Sequence, residues 1–196
     1  MKLDRMDIRG GENGRVTIDG ETLTLTANAA TDWFHHPADE FRKRDVISLA
    51  MEVHQKVFSL AARVSVGFQS AYDAGALFLE VDEENWAKLA FEYSADSKPT
   101  MVSVVTRTTS DDADGPNRPA EPLWLRLYCD GETVAFHFSE DGRHWRFLRW
   151  FALPNIGARP VRVGFGVQSP TGPGCTACFD NIAFSHERIG NIRDGS

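Results

Sequence analysis

Short runs of alternating or β-branched residues, broken every few positions by turn pairs, constrain this chain more than any other feature. Val16–Ile18 and Leu23–Leu25 flank Asp19-Gly20, a dipeptide suited to the positive backbone angles of a tight hairpin turn. Strand-length segments follow at Val46–Val53, Val57–Val66, Ala74–Val81, Trp86–Tyr93 and Met101–Thr108. They continue at Leu123–Asp130, Thr133–Ser139, Trp145–Ala152, Val161–Gln168 and Ala177–Phe184. That rhythm is all-β: a sandwich of two antiparallel sheets. The stretch SLAMEVHQKVFSLAARV, within Asp45–Ser65, has mixed periodicity and admits a helix, but we read it as strand. Ser110–Pro122 reads as a long acidic loop, and the residues after His186 read as a frayed tail. With 196 residues the chain suits one domain, 1–196, whose packed part ends near 186.

Charge narrows the partners. A formal net charge of -7 disfavours nucleic acid and anionic membrane surfaces, both of which need a basic patch. No segment approaches the ~20 apolar residues of a membrane span. The opening MKLDRMDIRGGENG has no apolar core of a secretory signal, so a cytoplasmic location is expected. Cys129, Cys175 and Cys178 are too few for a disulfide framework. The C-x-x-C of Cys175 and Cys178 runs into a strand rather than opening a helix, which argues for two incidental thiols. No cofactor is expected.

Two hairpins carry the functional signal. A turn at Asp82–Asn85 sets Val81 opposite Trp86, Leu79 opposite Lys88 and Gly75 opposite Glu92. Alternation then gives a core face of Ala76, Phe78, Leu89, Phe91 and Tyr93, and a mixed face of Asp73, Gly75, Trp86, Lys88, Ala90 and Glu92. In the second hairpin, a two-residue Asp130-Gly131 turn sets Leu127 opposite Val134 and Leu125 opposite Phe136. Leu123, Leu125, Leu127, Val134, Phe136 and Phe138 face the core, leaving Trp124, Arg126, Tyr128 and His137 on the other side. Rings that stack on sugars, beside charged groups that bind hydroxyls, make both mixed faces candidate saccharide surfaces. A solvated sheet face carries the same residue types.

Catalytic motifs are weak. Glu80-Val81-Asp82-Glu83-Glu84 matches the E-x-D-x-E strand of laminarinase-type glycosidases in letters only, because Asp82–Asn85 looks like the turn itself and Glu80 falls on the core side. Asp73 and Glu92 form a better pair, diagonal across the proposed register at roughly 5–8 Å, although strand capping by Asp73 explains it equally well. Lys88 and Glu92, four residues apart on one strand, are separated by roughly 13 Å. Ser139–Trp145, SEDGRHW, resembles the structural Asp-box turns of sugar-active β-proteins, with Asp141-Gly142 at the turn and Trp145 pinning it. Asp111, Asp112 and Asp114 suggest a calcium loop but fail the EF-hand pattern. His35-His36 with Asp39-Glu40 matches no standard metal spacing. No site metal is therefore assigned, and no Ser-His-Asp motif, P-loop or dinucleotide fingerprint occurs.

YDAGAL (Tyr72–Leu77), WAKLAFE (Trp86–Glu92), VSVVTR (Val102–Arg107), SDD (Ser110–Asp112) and LRLY (Leu125–Tyr128) occur in that order. AFHFSEDGRHW (Ala135–Trp145), Arg149 and VGFGVQSPTGPG (Val163–Gly174) complete the set. Together they resemble the regulation-of-enolase-protein-like family, of concanavalin A-like fold, well over Tyr72–Phe184 and loosely before it. The resemblance implies a two-sheet jelly roll of the lectin/glucanase superfamily and no particular reaction. It singles out Asp73, Gly75, Trp86, Lys88, Glu92, Ser103, Thr106, Ser110, Asp111, Arg126, Ser139, Asp141, Gly142 and Arg149. Three functions are then open. One is a non-catalytic carbohydrate-binding domain in which Trp86, Trp124 and Tyr128 stack while Asp73, Lys88, Glu92, Arg126 and His137 bind hydroxyls. The second is a glycoside hydrolase or lyase using Asp73 and Glu92. The third is a protein-interaction module regulating a metabolic enzyme.

Overall fold

The computed structural model describes residues 2–38 and 40–196. The strands, in chain order, begin with β1 (Asp7–Arg9), β2 (Gly14–Asp19), β3 (Thr22–Asn28), β4 (Trp33–His35) and β5 (Arg42–Arg44). Next come β6 (Ile47–Val53), β7 (Phe58–Val66), β8 (Ala74–Glu80), β9 (Asn85–Tyr93), β10 (Pro99–Arg107) and β11 (Thr109–Asn117). The last are β12 (Leu123–Cys129), β13 (Val134–Ser139), β14 (Arg146–Phe151), β15 (Val161–Gln168) and β16 (Gly174–Ser185). Two antiparallel seven-stranded sheets form, ordered β1-β6-β15-β8-β9-β10-β11 and β14-β13-β12-β7-β16-β3-β2. The β4–β5 ribbon is separate. The architecture is a jelly-roll sandwich. Among the described residues, helical structure is limited to two 3-10 turns, Leu3–Arg5 and Gly11–Asn13, and no helix is long and apolar enough to cross a membrane.

The ambiguous stretch is strand. In β7, Phe58, Leu60, Ala62 and Val64 are fully buried while Ser59, Ala61, Arg63 and Ser65 alternate outward. Two-sided pairing with β12 and β16 overrides the helix-forming Ala and Leu content. One apolar core fills the space between the sheets, with Leu77, Leu79, Ala87, Leu89 and Phe91 from the first and Leu125, Leu127, Phe136 and Phe179 from the second.

The first hairpin departs from expectation by one residue. Glu80, not Val81, faces Trp86, and Phe78 faces Lys88. The connection holds five residues rather than four, because Val81 N–H donates to Asn85 O at 2.9 Å and Asp82 Oδ1 accepts from Glu84 N and the Asn85 side chain. A one-residue slip exchanges faces. Ala76 and Phe78 therefore lie outward beside Trp86 and Lys88, whereas Gly75, Leu77 and Leu79 point inward. A Cβ on Gly75 would approach the Ala177 Cβ within 2.8 Å, so the two sheets pack tightly here.

The second hairpin departs by two. Leu127 faces Phe136 and Arg126 faces His137, because Asp130 to Thr133 form a four-residue turn with Asp130 Oδ1 accepting from Glu132 N and Thr133 N. A two-residue shift preserves faces, and Leu123, Leu125, Leu127, Val134, Phe136 and Phe138 all enter the core. The expected acidic loop is largely β11, an edge strand, and charge on an edge blunts further pairing. The expected frayed tail is docked. Arg126 Nη2 donates to Gly195 O at 2.8 Å, His137 Nε2 lies 2.7 Å from Ile192 O, and the Arg193 guanidinium sits over Phe147 at 4.5 Å.

Candidate functional site

The outer face of the first sheet supports a cavity. Residues 29–38 and 40–45 lie over this face, pinned near each end. Thr31 and Ser169 exchange bonds at 3.3 and 3.2 Å, and Asp32 N–H donates to Asp45 Oδ1 at 2.8 Å. At the β4 end, His35 N–H donates to Ser110 Oγ at 3.0 Å. Trp33 on β4 lies 4.8 Å from the Phe78 ring and 4.9 Å from the Trp86 ring, and His35 meets Trp86 edge-on at 5.6 Å. With Ala74, Ala76, Ala90, Val102 and Val104 these rings make a second apolar layer outside the sheet.

Lys88 and Glu92 emerge from that layer. Lys88 is 3% exposed, and its ammonium donates to Trp33 O at 2.8 Å and Gln168 Oε1 at 2.7 Å. The Gln168 amide in turn donates to Tyr72 O at 3.1 Å. Burial among neutral acceptors holds the Lys88 pKa down, against the pull of Asp32 and Glu92. Glu92 is 8% exposed and accepts no hydrogen bond among the described residues. Burial pushes its pKa up to about 8, Lys88 opposes the shift, and Asp32, Asp114 and Asp112 add to it. Both groups line a cavity of about 450 Å³ whose walls include Phe34, Tyr72, Asp32, Asp112, Asp114 and Gln168. Tyr72 holds a positive φ of 70° and is 42% exposed, a strained rim position for a non-glycine residue.

A second cavity on the same face, about 580 Å³, is lined by Trp33, Arg44, Phe78 and Glu80 among others. Glu80 lies outward here, not on the core side. Arg44, Arg9 and Arg162 surround it at 2.6, 3.4 and 3.8 Å, and the Arg44 guanidinium stacks on Trp33 at 5.1 Å.

The eight expected ligand residues separate into four environments. Lys88 and Glu92 share the cavity. Trp86 is fully buried beneath it, a supporting ring rather than a stacking platform. Asp73 does not face Glu92. It lies opposite Tyr93, whose N–H donates to Asp73 O at 2.9 Å, and its buried carboxylate accepts from Gln69 N, Ser70 N and Ser169 Oγ. Trp124, Arg126, Tyr128 and His137 lie on the outer face of the other sheet, across the core, so one ligand does not reach both groups. There Arg126 stacks on Trp145 at 4.1 Å, Arg63 on Trp124 at 5.3 Å, and the C-terminal segment covers Arg126 and His137. Burial lowers the Arg126 pKa to about 10 and that of His137 to about 4.

The remaining motifs are structural. Asp141 Oδ1 accepts from Arg143 N and His144 N, each at 2.8 Å, while Ser139 Oγ accepts from Gly142 N at 2.9 Å. Trp124 rather than Trp145 pins this turn, since a Cβ on Gly142 would meet its indole at 2.8 Å. Cys129, Cys175 and Cys178 are free thiols. His35 Nδ1 is hydrogen-bonded with Thr108 O. His36 accepts from Ala38 N, and Asp39 lies outside the described residues. Among the described residues, no group of three or more His, Cys, Asp or Glu is arranged to hold a metal ion.

Comparison with known proteins identifies the chain. Residues 12–187 match a family described as "Protein of unknown function (DUF1349)". The chain belongs to the DUF1349 family. It is 26% identical over 135 residues to Regulation of enolase protein 1 of Saccharomyces cerevisiae, a match covering 67% of this chain and 66% of the yeast protein. A crystal structure of a functionally unknown protein from Saccharomyces cerevisiae superposes with a TM-score of 0.87 at 21% identity, covering 96% of this chain and 100% of the other. The carbohydrate-binding module CBM66 from Bacillus subtilis superposes with a TM-score of 0.58 at 12% identity, covering 88% and 92%. The DUF1349 fold is thus concanavalin A-like. Several positions expected from the family brace it. Thr106 and Ser110 hydroxyls meet at 2.8 Å, and Arg149 ties Ser103 O at 3.4 Å to the Asp111 carboxylate at 2.8 Å.

Sequence reasoning missed Asp32, Phe34, Tyr72 and Gln168, which reach the DUF1349 cavity from segments far apart in the chain. Asp112 and Asp114 were legible in principle. They alternate opposite Val104 and Val102, a period-two pattern.

Proposed function

We propose that this DUF1349 chain is a non-catalytic carbohydrate-binding domain whose site is the cavity over Lys88 and Glu92. The observation that carries this reading is Glu92 itself. It is nine-tenths buried and without a hydrogen-bond partner among the described residues, at the floor of an open cavity of about 450 Å³ walled by Phe34 and Tyr72. Its carboxyl opens onto the cavity rather than into the chain, so a hydroxyl-rich ligand can bond to it while the rings stack on the apolar face of a sugar. Likeness to a carbohydrate-binding module supports the scaffold, not the specificity. The separation of Asp73 from Glu92 counts against hydrolysis by that pair. Titration calorimetry with a panel of short neutral oligosaccharides tests the reading. Binding that falls about tenfold in Tyr72→Ala and in Phe34→Ala supports it. Binding that ignores both substitutions but is lost in Trp124→Ala overturns it.

A second reading rests on the name of the yeast relative. The domain would dock on a glycolytic enzyme in the cytoplasm and regulate it. Sedimentation of the purified chain mixed with purified enolase tests this directly: a co-sedimenting complex supports it, and independent sedimentation at micromolar concentrations removes it.

A further inference from the structure

Many acidic groups of this molecule are held by arginine. Glu80, Asp82, Glu84, Asp111, Glu140 and Asp180 each form an ion pair with arginine. Asp32, Glu92, Asp112 and Asp114 form none among the described residues, yet all four line one cavity. The cation that shares it, the Lys88 ammonium, is engaged by the carbonyl oxygens of Trp33 and Gln168 and lies beyond ion-pair distance of Glu92. The arrangement follows from register. Val102 and Val104 point outward in the second apolar layer, so their cross-strand partners Asp114 and Asp112 point the same way. Asp32 joins them as the residue leading into β4.

A cluster of carboxylates alone is commonly a solvated surface. Here a carboxyl that is nine-tenths buried, unpartnered and facing into the cavity adds an independent mark of a missing ligand. An anionic sugar would meet the like charges of Asp32, Asp112 and Asp114, and a neutral one would leave them uncompensated. We infer that the cavity selects saccharides bearing a free amine, with the ammonium seated between Glu92 and the Asp112–Asp114 edge and the sugar ring against Phe34 and Tyr72. This inference rests on the carbohydrate-binding reading and specifies the ligand class of that same site.

The test compares glucosamine oligomers with N-acetylglucosamine oligomers of equal length by titration calorimetry, at a pH where the amine is protonated. The two differ by one charge per residue. The expected result is about tenfold tighter binding of the amine form, with the preference reduced to within about twofold in the Asp112→Asn, Asp114→Asn double variant. Those side chains sit on an edge strand outside both apolar layers, so the variant retains the fold. Asp32→Asn is a second arm in which the preference also falls. Equal affinity for the two oligomers rejects the amine inference and leaves the carbohydrate reading standing. A preference that survives both variants also rejects it. Failure of both oligomers to bind at millimolar concentration removes both readings.

Discussion

The outer faces of the two sheets carry similar residue types, and only one of them is closed by the chain. On the second sheet, Arg126 and His137 are covered by the C-terminal segment, which bonds Arg126 Nη2 and His137 Nε2 through its carbonyls, while Arg126 Nε and His137 Nδ1 lack partners among the described residues. On the first sheet, the β4 segment supplies one carbonyl to Lys88 and stops, leaving Glu92 at the bottom of an open cavity. A buried polar group needs a partner wherever it lies. Where the chain supplies the partner, the face is structural. Where the face stays open, as over Glu92, a ligand can reach it.

The largest test of this contrast compares two tryptophans. Trp86 is fully buried against Trp33 and His35 beneath the cavity, and its indole N–H has no acceptor, so its worth is packing alone. Trp86→Ala is expected to cost about 3–5 kcal/mol in urea unfolding. Trp124, half-buried on the other face, is expected to cost about 1 kcal/mol or less when replaced by Ala. Equal losses would mean that the second layer under the cavity is not a core.

A smaller effect separates the faces by pH. The Glu92 pKa is raised from 4.5 to about 8, so its contribution is complete below pH ~4.5 and is lost as pH rises through 8. Glu92→Gln should remove that alkaline decline and stabilise the protein near pH 8 by on the order of 2–4 kcal/mol. An unchanged pH profile would place Glu92 in water. His137 runs the other way. Its pKa is depressed from 6.5 to about 4, so its contribution is present above pH 6.5 and is lost as pH falls toward 4.

The smallest effect comes from removing residues 190–196. Uncovering Arg126 and His137 should cost about 1–2 kcal/mol, and proton NMR should show the His137 pKa returning toward 6.5. A pKa that stays near 4 would show that the segment is not what buries it.

The strands were readable from the sequence because alternation and turn pairs are local. Sidedness was readable only where an error was harmless. The β12–β13 pairing differs by two residues and keeps Arg126 and His137 together on the expected face. The β8–β9 pairing differs by one, because Val81 enters the turn, and that moves Phe78 and Glu80 outward. Lys88 and Glu92 were found because they alternate on one strand. Asp32, Phe34, Tyr72 and Gln168 were not, because long-range packing alone brings them there. The docking of Ile192 and Gly195 was hidden for the same reason, since their segment is polar and shows no periodicity.

The most direct measurement is backbone NMR with a bound glucosamine oligomer, mapping shift changes onto the two faces. The account predicts changes at Asp32, Phe34, Tyr72, Asp112 and Gln168, with Arg126, His137 and Gly195 unmoved. Changes centred on Trp124, Arg126 and His137, with the first sheet silent, would contradict it.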